Sequence, residues 1–219
     1  MRKPRKLKKV FGGLNQLPYD ERDFKYRKVL GAGKLTNEDF IVASPLEIKD
    51  QGSDDKCTSN AVCAASEPQE NVILDVDWQF AQTKRITDNY MTWGADLRSA
   101  CKSAKLYGSI EKNRVIKPKV DEGELRNWQH WALFNEINAK FHKKLTYLRV
   151  DDTPLNTFDE IRMALWNGKG KKQLVITGCL WRQEWNDAKK GIIPDKEYPP
   201  SFGHAFIMIG QKTINDKLY

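Results

Sequence analysis

A run of small residues at positions 57–67 is the strongest constraint that the sequence places on the fold. Ala61 and Ala64 recur at a spacing that favours a helix, and small side chains let neighbouring elements approach such a helix closely. Pro68 is expected to end this helix, because proline removes a backbone donor and clashes with the preceding turn. The chain is therefore predicted to contain a tightly packed interior helix that begins at Cys57.

The remaining patterns divide the chain into a helical half and a strand-rich half. Further helices are predicted over residues 75–88, 94–107 and 157–166, and strands over residues 144–150, 174–180 and 205–209. Helices that come first and strands that come later predict an α+β protein. We expect a helical lobe over about residues 45–125, an antiparallel β lobe over about residues 126–219, and a cleft between them.

The positive charge of the chain is concentrated at its N-terminus. Lys and Arg exceed Asp and Glu by eight, and six bases with no acid lie in the first nine residues. Such an arm could touch phosphates or another anionic surface, but it has no motif that reads bases. We expect a basic, disordered arm over residues 1–16, followed by a domain over residues 17–219 whose first part, 17–44, is a strap on the core surface. No specific nucleic-acid partner is expected.

Several classes of protein are disfavoured by what the sequence lacks. No run approaches the roughly 18 apolar residues of a membrane span, and no apolar segment follows the N-terminal charges as in a secretory signal. We therefore expect a cytoplasmic or virion-associated protein without a membrane partner. The chain has no CxxC pair and only three histidines, so we expect free thiols, no metal site and no cofactor. The four cysteines are Cys57, Cys63, Cys101 and Cys179.

Two motifs that are distant in sequence carry the chemistry. Gln51 and Gly52 lie in a loop, and Cys57 follows the glutamine by six residues at the start of the predicted helix. Gly203 and His204 stand at the beginning of the last buried strand. This order and spacing resemble those of the papain-like cysteine peptidases. Cys63 and Cys101 have no such flanking motifs, and we interpret both as core residues.

The resemblance covers roughly residues 17–210. Residues 17–26 are similar to the strap of bacterial and viral members, residues 94–100 to a helix start beside the substrate groove, and residues 191–194 to the loop before the histidine strand. The resemblance implies a papain-like two-lobe fold and a thiol-dependent endopeptidase that acts on a polypeptide substrate.

The resemblance also implies roles for individual residues. The nucleophile would be Cys57, His204 would transfer protons, and the side-chain amide of Gln51 would contribute to the oxyanion hole. A cysteine in the first turn of a helix feels the positive end of the helix dipole, so we expect a lowered pKa for Cys57. Three residues would line the substrate groove: Trp93, Gly94 and Gly203. Gly94 would let the substrate backbone approach as an extended strand.

Three positions depart from the pattern of the family. Asp54 stands where secreted members often have a disulfide cysteine, and Thr58 stands where tryptophan often follows the nucleophile. The asparagine that orients the histidine in the family has no counterpart before Tyr219. Asn215 lies in a predicted turn and is a weak substitute. We therefore hypothesise that the chain is truncated at its C-terminus.

Alternatives to the peptidase interpretation remain open. The chain could be an inactive or weakly active papain-like module that binds peptides or has a structural role, or it could perform other Cys–His amide hydrolysis. Gln51 could simply cap a turn, and His204 could be a structural histidine. Two tryptophans, Trp181 and Trp185, could shape the primed side of the groove, pack in the core or anchor a loop. His130 and His142 are expected to face outward or to pack on aromatic side chains.

Overall fold

The computed structural model describes residues 13–15, 20, 25, 35–51, 54–144, 146–150, 157–182, 185, 193, 202–215 and 217–219. Within these ranges the α-helices are α1 (Cys57–Glu70), α2 (Val76–Thr87), α3 (Leu97–Leu106), α4 (Leu133–Ala139) and α5 (Thr157–Gly168). The strands are β1 (Phe40–Ile41), β2 (Val175–Trp181), β3 (Phe202–Met208), β4 (Gly210–Gln211), β5 (Thr213–Ile214) and β6 (Lys217–Leu218). Short 3-10 turns cover Glu122–Arg126, Trp128–His130 and Lys169–Lys171.

Helices α2 and α3 begin where the sequence supplies a capping carboxylate. The side chain of Asp75 accepts a hydrogen bond from the backbone N–H of Trp78, and Asp96 accepts one from the N–H of Ser99. Each bond satisfies a helix-terminal donor that has no partner within the helix. Helix α1 differs, because its N-cap residue Lys56 makes no side-chain capping bond.

A buried polar network joins α2 to α3. The amide of Gln79 donates to the hydroxyl of Ser103 at 2.5 Å, and its carbonyl oxygen accepts from Ser109 at 2.8 Å. All three residues are fully shielded from solvent. Because buried polar groups are costly unless they are paired, this network fixes the register of the two helices. Beside it, Trp78 packs edge-to-face on Trp131 with ring centroids 5.5 Å apart.

The second half of the chain contains two long antiparallel strands, β2 and β3. Strands β2 and β3 pair along their whole length, and Cys179 stands opposite His204. Strand β1 pairs with β4, so residues from the beginning and the end of the described chain meet. Phe40 and Val42 pack there against Leu165 of α5 and form a second core. The predicted α+β class is therefore confirmed.

Two predictions about local structure are wrong. Helix α1 continues through Pro68 to Glu70 and ends at Asn71, whose left-handed backbone (φ 57°) lets its N–H bond to the carbonyl of Glu67. Proline is tolerated because it lies close to the helix end. No strand forms in the described part of residues 144–150, where Arg149 makes only an isolated bridge to Lys25.

Helix α4 was not predicted, because its large apolar residues do not face the core. Leu133, Phe134 and Ile137 are all exposed, whereas Asn135 and Ala139 are buried. Asn135 is held by two hydrogen bonds to the backbone of Ile116, one donated and one accepted. A helix that buries small and polar residues has no apolar stripe from which it could be recognised.

The N-terminal segment is only partly described. Most of the predicted arm (1–16) lies outside the described residues, and so does most of the part of the predicted strap (17–44) that precedes residue 35. Gly52 and most of residues 191–194 also lie outside them. Gly13–Asn15, however, are held by backbone hydrogen bonds to Ala95 and Gly203. Within the described ranges, no helix has the length and apolar character that crossing a membrane requires.

The second core generates a prediction for stability. Leu165 is 2% exposed in the Phe40 cluster, so Leu165→Ala is expected to lower the free energy of unfolding by about 2–5 kcal/mol. The same substitution at Leu133, which is 71% exposed, is expected to change it by less than about 0.5 kcal/mol. Urea titration followed by circular dichroism measures both values. Equal losses in the two variants would contradict the assigned core.

Candidate active site

Cys57 lies at the first position of α1 and is completely buried. Its side chain packs with Ala61 of the same helix and with Ala205 of β3. Because both neighbours are alanines, the helix end and the strand approach each other closely, and His204 is the residue next to Ala205 on that strand. The two predicted catalytic residues, which are far apart in sequence, therefore lie on two elements that pack against each other.

The protonation state of the cysteine differs from the sequence-based expectation. Burial raises the pKa of the Cys57 thiol, although the backbone N–H groups of Ala205, Gly13 and Thr58 favour the thiolate. The nearby Asp55 carboxylate raises the pKa further. The expected lowering is therefore wrong for the chain in this conformation, because the sulfur is withdrawn from water.

His204 lies in an aromatic environment. Its ring centroid is 5.2 Å from that of Trp181 and 6.3 Å from that of Phe202, both in edge-to-face geometry. Burial lowers the pKa of His204, so the neutral imidazole is favoured. Its Nδ1 is buried and has no hydrogen-bond partner among the described residues. Asn215 is exposed in the turn between β5 and β6, which confirms the predicted turn and offers no support for an orienting role.

Gln51 makes a local contact in this conformation. Its side-chain amide donates to the carbonyl of Asp54 at 3.1 Å, across the loop that precedes Cys57. This bond corresponds to the turn-capping alternative. An amide nitrogen carries two hydrogens, so this bond uses one of the two donors that the group has.

A peptide segment of the chain itself covers Cys57. Leu14 bridges to Ala95 in the parallel sense: Ala95 donates its N–H to Gly13 at 2.6 Å and accepts from Asn15 at 2.9 Å. On the opposite side, Leu14 donates its N–H to the carbonyl of Gly203 at 3.3 Å. Gly13–Asn15 thus lie as an extended strand between the loop before α3 and strand β3. The Leu14 side chain packs against the cluster that contains Cys57.

Two of the predicted substrate-groove glycines touch this segment. Gly94 has a positive φ of 66°, a conformation that L-residues with a side chain rarely adopt, and a Cβ there would overlap the backbone of Gly13. A Cβ on Gly203 would overlap the backbone of Leu14. Trp93 is 65% exposed, and its carbonyl accepts a hydrogen bond from the Asn15 side chain. These three residues therefore line the place where an extended chain lies.

Sequence reasoning missed the residues that occupy and support this place. Nothing in the local pattern distinguishes Leu14 from an ordinary leucine, and only the neighbouring Gly13 hints at a close approach. Lys84 was also missed, although it is buried beside Gly94. A buried lysine cannot be recognised from a helical pattern in which charged residues normally face solvent.

The other expectations have mixed outcomes. Cys63 is fully buried, as a core residue should be, whereas Cys101 is only half-buried. His142 does not pack outward on aromatic rings but lies 3.2 Å from Glu70 and 3.4 Å from Glu111. Trp181 packs on His204, Trp185 and Phe206, which supports the packing interpretation of the two tryptophans.

Comparison with solved structures identifies the architecture. Xylellain, a cysteine protease from Xylella fastidiosa, matches with a TM-score of 0.68 and 19% identity over 93% of this chain and 80% of that chain. Digestive procathepsin L 3 from the larval midgut of Tenebrio molitor matches with a TM-score of 0.56 and 14% identity, over 90% of this chain and 64% of that one. The chain has the papain-like fold. No model of a protein family matches the sequence, and no curated protein does.

The covering segment generates a prediction for the reactivity of Cys57. Leu14→Asp places a charge in an apolar cluster and should release the segment, so Cys57 is expected to react with iodoacetamide at least about tenfold faster. Mass spectrometry of the cysteine-containing peptides measures the rate, with the buried Cys63 as internal reference. Leu35→Asp, the same change at an exposed leucine, is the control. Unchanged labelling of Cys57 in Leu14→Asp would show that the segment does not cover the sulfur.

The same variant tests the direction of the thiol pKa. Because desolvation is the largest cause of the raised pKa of Cys57, uncovering the sulfur should extend the thiolate to lower pH. The pH of half-maximal labelling is therefore expected to be lower in Leu14→Asp than in the parent chain. Stopped-flow alkylation across the pH range gives both midpoints, and a midpoint that moves upward would refute burial as the main cause.

Proposed function

We propose that the chain is a cysteine peptidase that hydrolyses peptide bonds in extended polypeptides through Cys57 and His204. The observation that carries this proposal is the segment Gly13–Asn15, which pairs with Ala95 and Gly203 through backbone hydrogen bonds and whose Gly13 N–H interacts with the Cys57 thiol. The site therefore accepts a peptide backbone at the position where a nucleophile stands. The papain-like fold of the chain supports the same conclusion.

The proposed chemistry uses the Cys57 thiol and the His204 imidazole. In the resting chain the thiol and the imidazole are both favoured in their neutral forms. The unpaired Nδ1 of His204 offers a lone pair for the thiol proton when a substrate replaces the covering segment. The thiolate then attacks the peptide carbonyl, the imidazolium protonates the leaving amine, and water hydrolyses the acyl-enzyme with the same histidine as base.

The uncapped start of α1 supports an oxyanion site. The N-cap residue Lys56 makes no side-chain capping bond, so in this proposal the backbone N–H of Cys57 is available to the oxyanion. Gln51 would add its second amide hydrogen from the preceding loop. The loss of one such donor commonly costs about 100-fold or more in kcat.

The covering strand also indicates how substrate is held. The N–H and C=O of Ala95 are both hydrogen-bonded to Gly13–Asn15, and the carbonyl of Gly203 accepts from Leu14. A substrate backbone that replaced this segment would form the same hydrogen bonds. The place of the Leu14 side chain, next to Ala205 and under Gly178, would favour a branched aliphatic residue. Trp93 would border the exposed end of this groove.

A peptide-binding module without catalysis is the second candidate. It is favoured by the buried Nδ1 of His204, which has no hydrogen-bond partner among the described residues. A histidine without such a partner is a weaker base, because no hydrogen bond fixes its tautomer. In this case the cleft would bind extended chains with the same backbone contacts and would leave them intact.

Activity of the uncovered chain distinguishes the two candidates. Leu14→Asp is expected to fragment an unfolded polypeptide, and adding Cys57→Ala should lower kcat by at least about a thousandfold, because Cys57 is the proposed nucleophile. Cys101→Ser on the same background is the matched control and should retain activity. Fragments are quantified by mass spectrometry. Binding of an intact peptide without cleavage would instead establish the second candidate.

A further inference from the structure

Lys84 is the one large charged side chain of α2 that is fully buried in the described structure, with 1% of its surface exposed. Its ammonium group donates to the carbonyl of Thr92 at 2.7 Å, to the hydroxyl of Thr92 at 3.3 Å, and to the carbonyl of Gly94. A lysine ammonium has three hydrogens, so every donor is directed at one short loop. This loop leads into α3 and carries the backbone that contacts Gly13–Asn15.

Asp55 holds the same loop from the other side. Its carboxylate, which is also buried, accepts a hydrogen bond from the backbone N–H of Gly94. The N–H and the C=O of Gly94 are therefore both bonded to charged side chains inside the protein. Arg126 completes the cluster, with its guanidinium 4.0 Å from Asp55 and stacked over the ring of Trp93.

The fixed backbone of Gly94 determines the orientation of the next residue, Ala95. Because both polar groups of Gly94 are directed inward, the peptide groups on either side of it are fixed in orientation, and Ala95 presents its N–H and C=O to the cleft. Burying an ammonium group is expensive, and it lowers the pKa of Lys84 to about 8 despite the attraction of Asp55. A neutral residue of similar length would avoid this cost, so stability alone does not explain the choice of lysine at this position.

We propose that Lys84 is a positioning residue for peptide binding, which together with Asp55 fixes the backbone of Gly94 so that Ala95 can pair with an extended chain in the cleft. The inference rests on the proposed function for its catalytic consequence, but its structural part can be tested without activity. The hydrogen bonds of the Lys84 ammonium group go to Thr92 and Gly94, so Lys84 acts through this loop.

Amide exchange in the parent chain provides the first test. Lys84→Met keeps the length of the side chain and removes the three hydrogen bonds, so the amides of Ala95 and Asn15 are expected to exchange at least about tenfold faster. Amides in the middle of β3 should keep their protection. Lys102→Met, the same change at a half-buried lysine of α3, is the control. Unchanged exchange at Ala95, or equally faster exchange throughout the chain, would overturn the proposal.

Steady-state kinetics provide the second test, on the Leu14→Asp background in which the cleft is open. Lys84→Met is expected to raise KM about tenfold and to leave kcat within about twofold, and Lys84→Gln, which retains two donors, should restore part of the loss. A lower kcat at unchanged KM would overturn the positioning role. If Leu14→Asp itself shows no peptidase activity, the proposed function fails, and amide exchange alone decides the role of Lys84.

Discussion

The close packing of helix α1 against strand β3 is the constraint on which the rest of the structure depends. Cys57, Ala61 and Ala205 form one buried cluster, and a larger side chain at either alanine would push the helix away from the strand. The same contact joins the helical half of the chain to the strand half. It explains why α1 is rich in alanine, whereas α2 fills the neighbouring core with Trp78 and Phe80. Only small residues allow a helix terminus to stand beside the strand that carries His204.

Two electrostatic effects compete at the sulfur of Cys57, and their sizes decide the result. The helix dipole favours a thiolate by about 0.3–1 kcal/mol at an exposed site and up to about 2 kcal/mol in partly buried geometry. Withdrawing an ion from water costs several kcal/mol. With Gly13–Asn15 in place the second effect is larger, so burial raises the pKa of the thiol. The dipole would become decisive only if the sulfur were exposed to water.

Local sequence patterns account for a large part of this structure. The start of α1, the capped helices α2 and α3, and the paired strands β2 and β3 all follow from spacing, caps and apolar runs, and the motifs around Cys57 and His204 indicate the site. The features that were missed depend on partners distant in sequence. Residues 144–150 have a strand-like composition but form no strand in their described part, and α4 buries Asn135 rather than its leucine and phenylalanine. The pairing of Leu14 with Ala95 joins residues about eighty positions apart, so no local pattern reports it.

The alignment of the loop before α3, which forms one edge of the cleft, depends on the buried charges of Asp55 and Lys84. A slip of one residue along the loop before α3 would turn the N–H and C=O of Gly94 toward the cleft. Asp55 and Lys84 would then lose their hydrogen bonds while remaining buried, and unpaired buried charges cost several kcal/mol. The free-energy difference between the two registers therefore exceeds what a single peptide hydrogen bond contributes, which is about 1 kcal/mol. The loop is consequently aligned for pairing before an extended chain binds in the cleft. The hydrogen bonds between that chain and Ala95 therefore do not have to order the loop.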